Sequence, residues 1–306
     1  MEKNLLKAMF IPAALFAAAV LFFTVRRSMA DRAVEAEWQL PLPTAPALAA
    51  TSHLEIMPLY EEAGAGPDLI SGHGVSYLIR TDSSTILMDI GHNPNESEVA
   101  PFMQNMQALG IDWNEIGRIV LTHPHPDHMG GITAWKENKV LFGELPGGLG
   151  GRIIFVPTDI AFPGAVHVTI PTLPGSDVAT TGAISYAETW PMLLYNARSA
   201  EQALVVHVAG HGLVLIAGCG HPGLEKLVER AETLYGMPVT GVVGGLHYEG
   251  LAANEVYPHI QFLQTRRPGL VALSPHDSSP EALAAFEAAF PEIYHTLTVG
   301  EVVQFP

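Results

Sequence analysis

The run Thr-His-Pro-His-Pro-Asp-His-Met-Gly-Gly at residues 122–131 constrains this chain more than any other feature. It sets His123, His125, Asp127 and His128 in a His-x-His-x-Asp-His pattern directly after the compact apolar segment Arg118 to Thr122, which reads as a buried strand. In extended backbone, residues i and i+2 point the same way. His123 and His125 can therefore share one cation, while Asp127 and His128 turn toward a second. Pro124 and Pro126 stiffen the segment by fixing φ, and Gly130-Gly131 lets the chain turn tightly away. Imidazole and carboxylate donors suit Zn²⁺ first, with Fe, Mn or Ni compatible with the same ligands. With His at 14 of 306 positions, chance would produce this pattern with odds on the order of one in a thousand, so an idle histidine patch is a poor account of it.

Charge narrows the partners. The chain carries 15 Lys+Arg against 31 Asp+Glu, a formal net charge of −16. No basic stripe interrupts that balance, so nucleic acid is not an expected partner and a small-molecule substrate is. Cys219 is the only cysteine, which rules out an intrachain disulfide. No Gly-rich phosphate loop and no local Ser-His-Asp or Cys-His signature competes with the histidine run.

At the N-terminus, Ala8 to Val25 is uncharged over 18 residues, which at 1.5 Å per residue just reaches across a bilayer core of roughly 30 Å. The expectation is a membrane-anchored, single-pass protein held by an N-terminal transmembrane helix. Lys3 and Lys7 precede the run and Arg26 and Arg27 follow it, so the side of the membrane stays open. The alternative is a signal segment cleaved near Ser28-Met29-Ala30 and secretion. Residues 1–30 thus form an anchor or signal segment. Pro41, Pro43 and Pro46 mark 31–52 as a Pro/Ala-rich linker, and the folded domain occupies 53–306.

Within that domain, LEIMPLY (54–60), GVSYLIR (74–80) and TILMDI (85–90) read as short strands, followed by helical spacing from Glu98 to Leu109. ALVVHV and LVLIAG form a hairpin turning at His211-Gly212. A helix over Gly223 to Leu234, the strand PVTGVVGG, a helix from Asn254 to Thr265 capped by Asn254, the strand GLVALS and a helix from Pro280 to Phe290 complete the pattern. Two mixed halves facing each other give an α+β fold, a four-layer αββα sandwich.

The histidine run and four further segments, HGVS at His73 to Ser76, GCGHPG at Gly218 to Gly223, GGLH at Gly244 to His247, and Pro275-His276 ahead of a helix, resemble the metallo-β-lactamase superfamily. The likeness runs from about Leu54 to Pro306. Within the superfamily it resembles the branch of metal-dependent hydrolases similar to ribofuranosylaminobenzene-phosphate synthase. The resemblance implies two divalent ions, with His221 completing the His123/His125 site and His276 completing the Asp127/His128 site. Cys219 sits near the family's bridging carboxylate and is a candidate thiolate ligand.

The resemblance also implies that Asp89 supports the ligands from behind, that His247 lies near the substrate and that His73 faces the pocket. The activity implied is hydrolysis of an ester, amide or phosphoester by a metal-activated water, with Asp127 both ligating and orienting the nucleophile. A pterin-aminobenzene type synthase on the same fold and a non-catalytic, membrane-tethered metal-binding protein are the alternatives. The sequence departs from the family at Asp277-Ser278-Ser279 after the last ligand, at Gly220, and at Ser176, where relatives carry a ligand histidine after Pro-Gly. His53, His92, His167, His207, His211, His259 and His295 match no ligand pattern and read as structural.

Overall fold

A computed structural model describes residues 2–64 and 66–305, with side chains from residue 15 onward. It divides into two compact units, residues 42–184 with 200–306, and residues 1–41 with 185–199.

The larger unit is built on two seven-stranded sheets. The first runs Val303–Phe305, Leu54–Tyr60, Ser76–Thr81, Thr85–Met88, Arg118–Val120, Ile154–Val156 and Ala165–His167. The second runs Ala50–Thr51, Leu204–Val208, Gly212–Ala217, Val239–Gly244, Leu270–Leu273 and Tyr294–Thr296, with Val178–Thr180 also paired to Leu204–Val208. The strands alternate faces, and the inward set from both sheets makes one core. Ile56, Tyr77, Ile79, Ile86 and Val120 meet Leu204, Val206, Val214, Ile216 and Val243 there. A second cluster joins the other face of the first sheet, through Leu78, Leu87 and Ile119, to Phe102, Met103 and Met106 of the helix Pro101–Ala108. The helix Leu224–Tyr235 buries Leu224, Leu227, Val228 and Ala231 at i, i+3, i+4 spacing beside the strand Gly212–Ala217. Helices outside two facing sheets match the layering that the sequence resemblance implies.

Parallel pairing positions the chemistry. Thr85–Met88, Arg118–Val120 and Ile154–Val156 run parallel in one sheet, and Gly212–Ala217, Val239–Gly244 and Leu270–Leu273 run parallel in the other. Asp89, His123, Cys219, His247 and His276 all lie just past the carboxyl ends of these strands, where open α/β sheets place their ligands.

Asp177 ties the two sheets near one end. Its carboxylate accepts hydrogen bonds from the Ser83 N–H (3.2 Å) and the Ser84 hydroxyl (2.5 Å), in the turn between Ser76–Thr81 and Thr85–Met88. Burial works against the charge, yet these hydrogen bonds outweigh it and hold the pKa below the usual carboxylate value. A depressed folded-state pKa contributes stability that is present above the unfolded pKa of about 3.9 and is lost as pH falls through the lower folded value. Asp177→Ala is expected to cost about 1.5–3 kcal/mol at neutral pH. In urea denaturation at stepped pH, its deficit relative to the wild type should shrink below about pH 4.

Three sequence expectations need correction. Among the described residues no helix is long and apolar enough to cross a membrane, which overturns the single-pass anchor and the membrane localisation drawn from it. The N-terminal helix spans Glu2–Trp38 and runs on well past the expected span. Arg26 and Arg27 end that stretch and reach the carbonyl oxygens of Tyr195 (3.3 Å) and Glu188 (2.9 Å) within the smaller unit. Asp31, Arg32, Glu35 and Glu37 then follow on the remaining turns. Residues 8–14 of the expected span lie outside the residues whose side chains are described.

The expected linker also starts too early, because 31–38 is helical. Its residues are good helix formers, Arg27 pairs with Asp31 one turn on (2.9 Å), and prolines begin only at Pro41. Finally, the helix Ala253–Gln264 is capped at Ala252, not Asn254. Glu255 in its first turn accepts the Ala252 N–H at 2.8 Å and takes the capping role.

Candidate metal centre

The histidine run leaves the strand Arg118–Val120 in extended backbone through His125 (φ −91°, ψ 154°), and Pro126 then opens a one-turn helix, Pro126–Met129, closed by Gly130 at φ +100°. Proline is tolerated at a first helical position, and only glycine adopts that left-handed closing conformation freely. His123 and His125 therefore project from extended chain, while Asp127 and His128 project from a helical turn. The turn is fixed at both ends, because the Asp127 carbonyl accepts the Val75 N–H (3.3 Å) and the His128 carbonyl accepts the Ile90 N–H (3.0 Å).

Two donor groups result. His221 Nε2 lies 3.2 Å from both His123 Nε2 and His125 Nδ1. Three nitrogens sharing a tetrahedral Zn²⁺ at 2.0–2.1 Å would stand about 3.3 Å apart, so the spacing fits one ion. In the second group, Asp127 Oδ2 is 3.6 Å from His128 Nε2 and 3.8 Å from His276 Nε2, and Cys219 Sγ is 3.0 Å and 3.2 Å from those two nitrogens. Cys219 Sγ also falls within 4.8 Å of the His123 and His221 donor atoms, so it stands between the groups. The structure thus brings together all six expected ligands and Cys219. Ser176, the departure from the Pro-Gly-His pattern, bonds Ser83 (2.9 Å), and the third nitrogen beside those of His123 and His125 is that of His221.

The donor chemistry also fits cations. Burial, aided by the neighbouring imidazoles, pushes His123 and His221 well below the usual histidine pKa, so both rings are neutral and offer lone pairs. At the second group burial opposes charge on His128, but Asp127 and Asp89 outweigh it and push the pKa up to about 9, so the local field favours a positive charge. Burial likewise opposes ionisation of Asp127, and the surrounding imidazoles more than offset it, holding the carboxyl well below its ordinary range. The Cys219 thiol is pushed far up by burial and by the nearby carboxyl groups. A cation in contact with sulfur is what reverses such a shift.

The ligands are held from behind by buried carboxyl groups. Asp89, at φ +57°, accepts the Thr122 N–H and the Thr122 hydroxyl, each at 2.7 Å, and stands 2.7 Å from His128 Nδ1. Thr122 Oγ1 in turn meets His123 Nδ1 at 3.0 Å. Two carboxyl groups with no signature in the sequence do similar work. Glu61 bonds the Tyr77 and Ser274 hydroxyls, each at 2.7 Å, and Ser274 Oγ reaches His276 Nδ1 at 2.6 Å. Glu201 accepts the backbone N–H groups of Cys219, Gly220 and His221. Both are fully buried; Glu61 directly follows the strand Leu54–Tyr60 and Glu201 ends the strand Arg198–Glu201, and the neighbours of neither gave a periodic hint of an inward carboxylate.

Around the donors stand three further imidazoles. The exposed His73 places Nε2 3.5 Å from Asp127 Oδ2, with its ring 5.4 Å from that of His276. His247, at φ +54°, has its ring 4.4 Å from His221, and its N–H is held by the buried Asp277 at 3.0 Å. His92, read from sequence as structural, packs its half-buried ring near Gly131 and feels the charge of Asp127. It belongs to the rim of the site.

Comparisons with known proteins support the fold. Residues 70–141 match the sequence model of the metallo-beta-lactamase superfamily. The chain is 24% identical over 287 residues to the 7,8-dihydropterin-6-methyl-4-(beta-D-ribofuranosyl)-aminobenzene-5'-phosphate synthase of Methanocaldococcus jannaschii, covering 83% of this chain and 97% of that protein. Its fold is similar to that of Tm1679, a metal-dependent hydrolase of the beta-lactamase superfamily (TM-score 0.60, 19% identity, 83% of this chain and 99% of that one). It is also similar to the metallo-beta-lactamase fold protein YhfI of Bacillus subtilis (TM-score 0.52, 11% identity, 83% of this chain and 100% of that one). The histidine run at the head of its parallel strands, the layered sheets and these likenesses together identify a metallo-beta-lactamase domain match over residues 70–141 within a chain of metallo-beta-lactamase fold.

Proposed function

We propose that this chain is a binuclear metal-dependent hydrolase that cleaves an ester, amide or phosphoester of a small molecule with water. The observation that carries the reading is the convergence of the three nitrogens of His123, His125 and His221 at 3.2 Å beside a second group of Asp127, His128, Cys219 and His276. Divalent cations held by these two groups, Zn²⁺ foremost with Fe, Mn or Ni as candidates, supply Lewis acidity and a lowered pKa for water.

The remaining work falls to the protein. Asp127, kept ionised by the imidazoles around it, holds Oδ2 among the rings of His128, His276 and the exposed His73, where its carboxylate accepts a hydrogen bond from water and orients it. His73 stands beside His276 of the second donor group and His247 beside His221 of the first, and their ring nitrogens serve the polar atoms of a substrate. Asp277 and the left-handed backbone at His247 fix that second ring, a strained position of the kind that clusters at functional sites. The net charge of −16 disfavours a phosphate polymer as the substrate.

The methanogen relative supports a second reading, a synthase of the pterin-aminobenzene type. Metal-loaded protein incubated with lactam, thioester, carboxylic ester, phosphodiester and pterin-diphosphate panels separates the two. Turnover of a hydrolysable compound is the expected result. Turnover of the pterin diphosphate with an aromatic amine, and of nothing else, would replace hydrolysis with the synthase reaction.

A further inference from the structure

Glu201 ends the short strand Arg198–Glu201 and is fully buried. Its Oε1 accepts the N–H groups of Cys219 (3.1 Å) and Gly220 (2.9 Å), and its Oε2 accepts the His221 N–H (2.8 Å). Three consecutive amides turned to one side make a concave anion-binding nest. Gly220 makes the turn possible, because its φ is +72° and a Cβ there would lie 2.6 Å from the Gly245 carbonyl. The anion in this nest is a side chain of the protein itself, and the two outer amides belong to Cys219 and His221.

We propose that Glu201 is the positioning residue that sets Cys219 Sγ and the His221 ring against the two donor groups. Metal affinity and thiolate coordination then depend on a carboxylate that lies outside the donor set. The inference rests on the metal reading of the site. Only a carboxylate satisfies this nest, since it offers two acceptor oxygens to three donors. A glutamine offers one oxygen and an NH₂, so in either orientation an N–H of the loop would face another N–H. The loop must then shift, and with it the sulfur that stands 3.0 Å from His128 Nε2 and the nitrogen that stands 3.2 Å from His123 Nε2.

The test uses the full chain titrated with Co²⁺ as wild type, Glu201→Gln and Cys219→Ser, read by the thiolate-to-cobalt charge-transfer absorption in the near ultraviolet. The wild type should show that absorption and Cys219→Ser should lack it. Glu201→Gln should unfold cooperatively like the wild type, yet bind Co²⁺ about ten- to a hundred-fold more weakly, with the absorption diminished or displaced. Wild-type affinity and an unchanged absorption in Glu201→Gln would overturn the proposal while leaving the metal reading standing. A wild type that binds no Co²⁺ would instead overturn the metal reading, and this inference with it. Should Glu201→Gln fail to fold, Glu201→Asp is read the same way. It keeps both oxygens on a shorter stem that pulls the loop back, so it should bind Co²⁺ more weakly than the wild type with the absorption displaced, and wild-type affinity with an unchanged absorption would overturn the proposal.

Discussion

Replacing His123 and His125 together by alanine is expected to abolish metal binding at the first donor group and to lower hydrolysis by at least about a thousand-fold, toward the background of water. The size follows from the geometry. His221 Nε2 has its two nitrogen neighbours at 3.2 Å in those residues, so the double variant leaves it one donor of three. A lone imidazole cannot hold Zn²⁺ against water, and an ion that orients or polarises the reacting groups contributes several kcal/mol to the barrier, where each 1.4 kcal/mol is about tenfold in rate. The fold should survive, because both residues follow the strand Arg118–Val120, and the fully buried His123 ring lies outside the apolar core shared by the two sheets. Elemental analysis of purified protein and turnover of the hydrolysed substrate check the prediction together. Full activity in the double variant would end the hydrolase account.

Asp89→Ala should be the most damaging single change outside the donor set, because it affects stability and metal binding at once. The carboxylate is fully buried, accepts two hydrogen bonds from Thr122 and stands against His128 Nδ1. Its removal leaves a buried N–H, a hydroxyl and an imidazole without their acceptor, in a place too tight for bulk water. Breaking such a buried charged network costs about 3–5 kcal/mol. The His128 ring also loses its orientation, for which a ten- to hundred-fold loss of metal affinity is the usual consequence. Thermal denaturation of metal-free protein reads the first effect and Zn²⁺ titration the second. Wild-type values in both would mean that Asp89 supports neither.

What the sequence discloses about this site depends on how locally each residue's role is encoded. The His123 to His128 run is legible because its spacing alone, set after an apolar strand and stiffened by prolines, dictates where the side chains can point. His221 and His276 are suggested only through resemblance, each following an apolar strand, and the structure brings both close to the run. Glu201 and Glu61 are not legible. Each is a single acid whose function is created by backbone arriving from elsewhere, 18 to 20 residues on for Glu201 and across the sheets at Ser274 for Glu61. His92 is missed for the same reason, since its place on the rim exists only once Gly131 folds against it.

The N-terminal segment misled in the opposite direction. An apolar run looks like a membrane span when counted by composition, but the arginines that close it reach backbone carbonyls of 185–199, a segment with no visible link to it in the sequence. Fold class was the easier inference. Alternating strands and amphipathic helices carry their period in the sequence, and burial in two facing sheets follows from that period.

The central claim is that two cations sit where these side chains converge, and anomalous diffraction from crystals grown with Zn²⁺ tests it most directly. Two anomalous peaks are expected, one bounded by His123, His125 and His221 and the other by Asp127, His128, Cys219 and His276. A map with no peak among these residues, or with zinc bound only elsewhere on the surface, would contradict it.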